Sequence, residues 1–162
     1  MKNSTTRPDC DIEALVNTYG DMLFRLCVVM LGSETDAEDA VQETFIRYTQ
    51  KAPDFESSEH EKAWLITTSK NKCHDMLRFR QRHPQISIEY MQGLSSDSTD
   101  SGILEALMSL PEKFRLVLTL YYVEEYRIDD IAQIIRKTPS AVKMRLQKGR
   151  KLLEEKYRKE YL

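Results

Sequence analysis

Between Arg136 and Lys151 the chain places seven cations (Arg136, Lys137, Lys143, Arg145, Lys148, Arg150 and Lys151) and no carboxylate. Cations at that density attract phosphate, and Gln147 among them carries the paired donor and acceptor that suits an adenine edge. A second basic set runs from Lys62 to His83, where Lys62, Lys70, Lys72, Arg78, Arg80 and Arg82 face Asp75 alone. It is interleaved with Trp64, Asn71 and Phe79. Rings beside cations suit single-stranded nucleic acid, whose bases stack while its phosphates pair. A tryptophan in a helical stripe is more often core than a stacking platform. From Glu34 to Glu61 the balance inverts, with nine carboxylates against Arg47 and Lys51. The net charge of −2 hides these segments, yet local potential decides docking because charges beyond about 10 Å are screened at ~0.1 M salt. One acidic and two basic faces are expected.

Other chemistries lack their residues. His60, His74 and His83 stand apart, and Cys10, Cys27 and Cys73 are widely spaced, without a C-x-x-C or H-x-x-x-H pair to hold a metal. No G-x-S-x-G, Walker or G-x-G-x-x-G string occurs. The expectation is a chain that is no enzyme, with no metal, no cofactor and no small-molecule substrate. Cys27 and Cys73 fall in apolar helical stripes, as small hydrophobes of a reducing cytoplasm do.

The elements that must position these residues read as helices. The 162 residues suffice for one domain or two small ones, and 41% hydrophobic against 31% charged is a globular balance. Glycine and proline number five each, about half the usual share, which nearly excludes an all-β chain. Leu26–Leu31 is the longest apolar run, far short of the roughly 18 residues of a membrane span, and Met1–Asp11 has no signal-like apolar core. Ile12, Leu15, Val16, Tyr19, Leu23, Leu26, Cys27 and Met30 follow helical spacing, with a break or bend expected at Gly20 and a stop at Gly32. Thr35-x-x-Glu38 has the form of a capping box for a second helix whose inner face is Ala37, Ala40, Val41, Phe45 and Tyr48. Residues 53–61 read as a loop. A third helix is expected from about Lys62 to Arg82, with Trp64, Leu65, Cys73, Met76 and Leu77 inward and Pro84 ending it.

Residues 84–102 hold a Ser/Asp run and no Lys or Arg, and read as a flexible linker between domains at 1–83 and 103–162. Its apolar positions Ile86, Ile88, Tyr90, Met91 and Leu94 suit docking on a partner or on the first domain. Beyond it, Ile103, Leu104 and Leu107 open a helix, Pro111 takes the first position of the next, and Phe114, Val117, Leu118 and Tyr121 form a buried stripe. Ile128, Ile131, Ala132 and Ile135 make a two-turn helix. Thr138 as N-cap and Pro139 then start a long last helix, with Val142, Leu146, Gly149 and Leu153 facing its core. Short helix, tight turn and longer basic helix is the helix-turn-helix pattern.

The residues now carry a resemblance. Asp36-Ala37-Glu38-Asp39-Ala40-Val41-Gln42-Glu43-Thr44-Phe45 resembles region 2.2 of bacterial RNA polymerase sigma factors of the extracytoplasmic-function type, group 4 of the sigma-70 family. Trp64-Leu65 with Asn71, Asp75 and Arg78 resembles region 2.3–2.4, and Leu110 to Leu153 resembles region 4. The resemblance implies an all-α chain of two small helical domains that binds core polymerase and directs initiation at particular promoters, often in envelope stress. Asp36, Asp39, Gln42 and Glu43 would meet the clamp coiled coil of the β′ subunit. Phe55, Trp64, Asn71, Arg78, Arg80 and Arg82 would engage the melted −10 strand. Ser140, Lys143, Met144, Arg145, Gln147, Lys148 and Lys151 would face the −35 duplex. An anti-sigma factor is implied as a partner, with the chain cytoplasmic or held by that partner at the membrane.

This chain departs from the pattern at Arg136, where the family usually has Gly, and at Lys137, usually apolar. Arg127 and Ala141 stand where Ser or Thr and Thr are usual. A non-glycine residue at positive φ costs of order 1 kcal/mol. The alternative reading is a stand-alone helix-turn-helix regulator of duplex DNA, which has no need of the acidic motif and the Trp-led helix.

Overall fold

The computed structural model describes residues 12–83 and 101–161. The expectations for Cys10 and for the apolar positions Ile86 to Leu94 lie outside the described residues. Seven helices and no strand occur among them, and the chain divides into two compact units between residues 93 and 94.

The first unit is three helices: α1 (Ile12–Leu31), α2 (Glu34–Lys51) and α3 (Ser58–Arg82), each packed on the other two. Leu23, Leu26, Met30, Leu65 and Ile66 are fully buried, with Cys27 and Cys73 beside them as expected of small hydrophobes. The break expected at Gly20 does not occur. α1 runs unbroken through it, because burying Met22, Leu23 and Leu26 outweighs the ~1 kcal/mol that glycine costs a helix. Val16, read as inward, is 40% exposed. α1 has the length and hydropathy of a membrane-crossing helix, yet its apolar stripe is the core of this unit.

The start of α2 also differs from the capping-box reading. Ser33 is the N-cap, and its Oγ accepts from the Asp36 N–H at 3.2 Å. Thr35 is already inside the helix. Likewise α3 begins at Ser58 rather than Lys62, because Ser57 caps it by accepting from the His60 N–H at 3.1 Å. A serine supplies the acceptor that a first-turn amide lacks, worth about 1 kcal/mol. Thr44, fully buried on α2, donates its hydroxyl to the Ala40 carbonyl at 2.7 Å and so joins the inner face without an unpaired group.

The second unit holds α4 (Ser101–Met108), α5 (Glu112–Tyr122), α6 (Ile128–Ile135) and α7 (Pro139–Tyr161). Ser101 and Gly102 are therefore helical rather than linker. Pro111 is the N-cap of α5, one residue before the position expected of it. Tyr121 lies at the surface, not in the buried stripe. α7 is the spine, packed on α4, α5 and α6. At Gly149 it approaches α5 so closely that a Cβ would sit 3.2 Å from Leu118 Cδ1 and 3.4 Å from Phe114 Cβ. Glycine at that position permits the approach.

Candidate nucleic-acid and polymerase interfaces

On α2 the acidic face is real but smaller than expected. Asp39 and Gln42 are exposed and Glu43 is half-buried. Helical spacing sets them on one face with Ile46, which is 49% exposed. Arg47 lies 3.7 Å from Glu43 one turn on. An apolar residue ringed by polar ones on a convex helix suits a protein partner better than it suits DNA. Sequence reasoning missed Ile46; its spacing from Gln42 and Asp39 was the available sign.

Asp36 does not join that face. Its Oδ2 accepts from Arg80 Nη2, while Arg80 Nη1 donates to the Leu31 carbonyl. The two side chains are only 13% and 14% exposed. The guanidinium thus ties the end of α1, the first turn of α2 and the end of α3 together across 44 residues of sequence. Two residues expected at different surfaces, one toward polymerase and one toward DNA, are instead each other's partner. Lys70 departs from the basic face in the same way: it is buried in α3.

What remains exposed on the late part of α3 is Asn71, Arg78 and Arg82. Their spacing of seven and four residues aligns them along one stripe. Arg78 pairs with Asp75 on the same stripe. Phe79 is 49% exposed and stacks on His83, with ring centroids 4.1 Å apart.

The loop before α3 is packed against its neighbours. Tyr48 and Phe55 stack with centroids 5.9 Å apart, and Trp64 meets both edge-on at 5.9 and 6.0 Å. His60 stands edge-on to Phe55 at 5.2 Å. Tyr48 donates its hydroxyl to Glu61 Oε2 at 2.7 Å. Burial, with Glu61 beside it, pushes the Tyr19 phenol above its usual range. Phe55 and Trp64 thus face each other more than solvent, and their edges hold the loop in place.

The helix-turn-helix has the predicted core. Ile131, Ala132, Ile135, Val142 and Leu146 are all buried, with Ile134 added. Thr138 caps α7 by accepting from the Ala141 N–H at 3.1 Å. Arg136 takes the left-handed conformation, φ 57° and ψ 47°, that the missing glycine would have favoured. Lys137 closes the turn by donating its N–H to the Ala132 carbonyl at 2.9 Å.

On the outer face of α7, Ser140, Lys143, Met144, Gln147 and Lys151 are exposed, Met144 at 66%. Arg145 is half-buried. Lys148, also exposed, has its Nζ 5.8 Å from the centre of the Phe114 ring on α5, which turns it toward the flank of that exposed stripe. Behind this face, Ile103, Leu107, Leu118, Tyr122, Val123 and Leu153 line an apolar groove, with Arg150 at its edge donating to the Tyr122 hydroxyl at 2.8 Å.

Residues 15–83 match the Sigma-70 region 2 family model, and residues 101–153 match Sigma-70, region 4. The chain is 28% identical to the ECF RNA polymerase sigma factor SigW of Bacillus subtilis (strain 168), over 89% of this chain and 87% of that one. It is 26% identical to the ECF RNA polymerase sigma factor SigM of the same organism, over 90% and 94%. Among solved structures, the sigma factor RpoE from Bartonella quintana, crystallised with the anti-sigma factor NepR, superposes with a TM-score of 0.74 at 25% identity. It covers 91% of this chain and 97% of that one.

Proposed function

Because the chain belongs to the sigma-70 family as an extracytoplasmic-function sigma factor and is a promoter-specificity subunit of RNA polymerase, we propose how its surfaces divide that work. The exposed part of α2, Asp39, Gln42, Glu43 and Ile46, docks on the β′ clamp of the core enzyme. The α3 stripe of Asn71, Arg78 and Arg82, with Phe79 beside it, takes the melted −10 strand. The outer face of α7 reads the −35 duplex. The observation that carries this division is the segregation of charge. The polymerase face is acidic with an apolar centre, and the two DNA faces are basic.

Core polymerase and promoter DNA are therefore the partners, and an anti-sigma factor is a third, as in the solved complex of RpoE with NepR. The chain works in the cytoplasm as a DNA-recognition subunit and supplies no catalytic group of its own. The test is run-off transcription with purified core polymerase on a pool of randomised promoters. Specific transcripts that need the added chain are expected. Duplex binding without any core-dependent transcript would favour the stand-alone regulator.

Within the reading helix, positioning and reading separate along its length. Pro139 starts α7, so Ser140, Lys143, Met144 and Gln147 occupy the first turns, which lie deepest in a major groove. Lys151 is a turn further on, near the phosphates. Gln147→Ala is expected to change the preferred base at one −35 position, at a cost of about 1–3 kcal/mol on the best site. Lys151→Ala is expected to weaken all sites alike and to lower the salt slope by about 1. Selection on a randomised −35 element compares the two. An unchanged base preference for Gln147→Ala would remove Gln147 from the reading set.

A further inference from the structure

Around α6 the chain goes against local backbone preference at three positions: Glu125 and Arg136 hold positive φ, 58° and 57°, and Arg127 starts the helix without a capping bond. Arg127 occupies the N-cap of α6 and makes no side-chain capping bond, where Ser, Thr, Asp or Asn would. Arg136 holds φ 57°, a conformation that costs an L side chain energy and glycine almost none. Lys137 follows Arg136 in the turn, and the three cations Arg127, Arg136 and Lys137 are exposed. Backbone strain persists where the surrounding structure holds it, and it concentrates at working positions.

Electrostatics separates the two ends of α6. Arg127 is followed by the exposed carboxylates Asp129 and Asp130, and it shares a surface groove with Glu125 and Asp129 as well as with Lys143. At that end carboxylates offset the cations. At the other end, no carboxylate occurs in the sequence between Asp130 and Glu154. The side chains of Arg136 and Lys137 make no hydrogen bond or ion pair among the described residues. The turn leads directly into Pro139 and Ser140, the first residues of α7. A docking that puts the start of α7 into the major groove therefore brings this turn to the groove wall, where the phosphates are.

We propose that Arg136 and Lys137 form a phosphate clamp on the duplex backbone beside the −35 contacts, and that the strained conformation of Arg136 is retained for that contact. This rests on the reading of α7 as the duplex-reading helix. The ligand is the DNA phosphodiester itself, without regard to base. One lost phosphate contact lowers the salt slope by about 0.9, which at ~0.1 M salt is roughly an eightfold loss of affinity.

The experiment uses holoenzyme reconstituted from core polymerase and the full chain, bound to a promoter fragment over a range of salt concentrations. Melting of the free chain is followed in parallel. Arg136→Gly should melt at or above the wild-type temperature while losing roughly eightfold in affinity, with a salt slope smaller by about 1. Arg136→Asn, which also tolerates the left-handed conformation, should do the same, and adding Lys137→Ala should lower the slope by about 2 in all. Arg136→Lys keeps the charge and should keep the slope. Arg127→Ser removes the same charge from the carboxylate-rich end and should leave the slope close to wild type. A wild-type slope in both Arg136→Gly and Arg136→Asn overturns the clamp. If Lys143→Ala and Gln147→Ala are equally without effect, it is the docking of α7 that has failed rather than the clamp alone.

Discussion

Arg80→Ala is expected to destabilise the first unit by about 3–5 kcal/mol, a large part of the stability of a domain this size. The substitution leaves the Asp36 carboxylate in a site where its side chain is only 13% exposed and removes the donor that Arg80 gives the Leu31 carbonyl. An uncompensated buried charge is costlier than the loss of the attraction itself, so Asp36→Asn, Arg80→Met should recover part of the stability that Arg80→Ala loses. Arg80→Lys keeps the charge but not the planar fork that reaches two acceptors, and should fall between. The measurement is simple because Trp64 is the only tryptophan in the chain, so its fluorescence reports on this unit alone during urea unfolding. The Arg80→Ala midpoint should fall by more than about 1 M. A midpoint at the wild-type value would mean that Arg80 is free for DNA after all.

That pair shows where sequence reading stops. Periodicity along α1, α2 and α7 placed most of the core correctly, since burying an apolar stripe is a local demand on spacing. The helix-turn-helix was legible to the residue. Thr138, Pro139 and the buried set from Ile131 to Leu146 follow from capping and spacing within 16 residues, and even the positive φ of Arg136 was foreseen from the missing glycine. The pairing of Asp36 with Arg80 was not foreseen because a charged residue on a helix reads as exposed, and nothing nearby reveals a partner 44 residues away. Lys70 failed for the same reason. The starts of α2 and α3 were misplaced because Ser33 and Ser57 lie one turn before the apolar pattern begins, and a cap is chosen by backbone geometry rather than by pattern. Phe55 and Trp64 were named for the DNA site, but the ring contacts that tie them to Tyr48 and His60 depend on a loop with no periodicity to read.

The double substitution Asp39→Lys with Glu43→Lys is expected to weaken binding to core polymerase by several kcal/mol, at least about a hundredfold, while the fold stays intact. Asp39 is exposed and Glu43 half-buried, away from the inner face formed by Ala37, Ala40, Thr44, Phe45 and Tyr48. Reversal at 43 also sets a cation beside Arg47, where Glu43 now lies 3.7 Å away. That repulsion within the helix costs only a few tenths of a kcal/mol. A competition assay against the wild-type chain for core enzyme measures the loss, and Trp64 fluorescence verifies the fold. Undiminished competition by the folded double variant would move the polymerase site off α2.

The contact at Gly149 has a consequence for redesign. With a Cβ at that position 3.2 Å from Leu118, the seam between α7 and α5 has no spare width, so the height at which α7 stands above its own scaffold is a set dimension. Lys143, Met144 and Gln147 are exposed on α7, away from that seam. With the outer face of α7 reading the −35 element as proposed, promoter choice and structural fit lie on opposite sides of one helix and can be revised separately. Exchanging Lys143, Met144 and Gln147 for those of a relative with another promoter should transplant its preference without refitting the interior, whereas a side chain at 149 requires Leu118 to give way by a few tenths of an ångström.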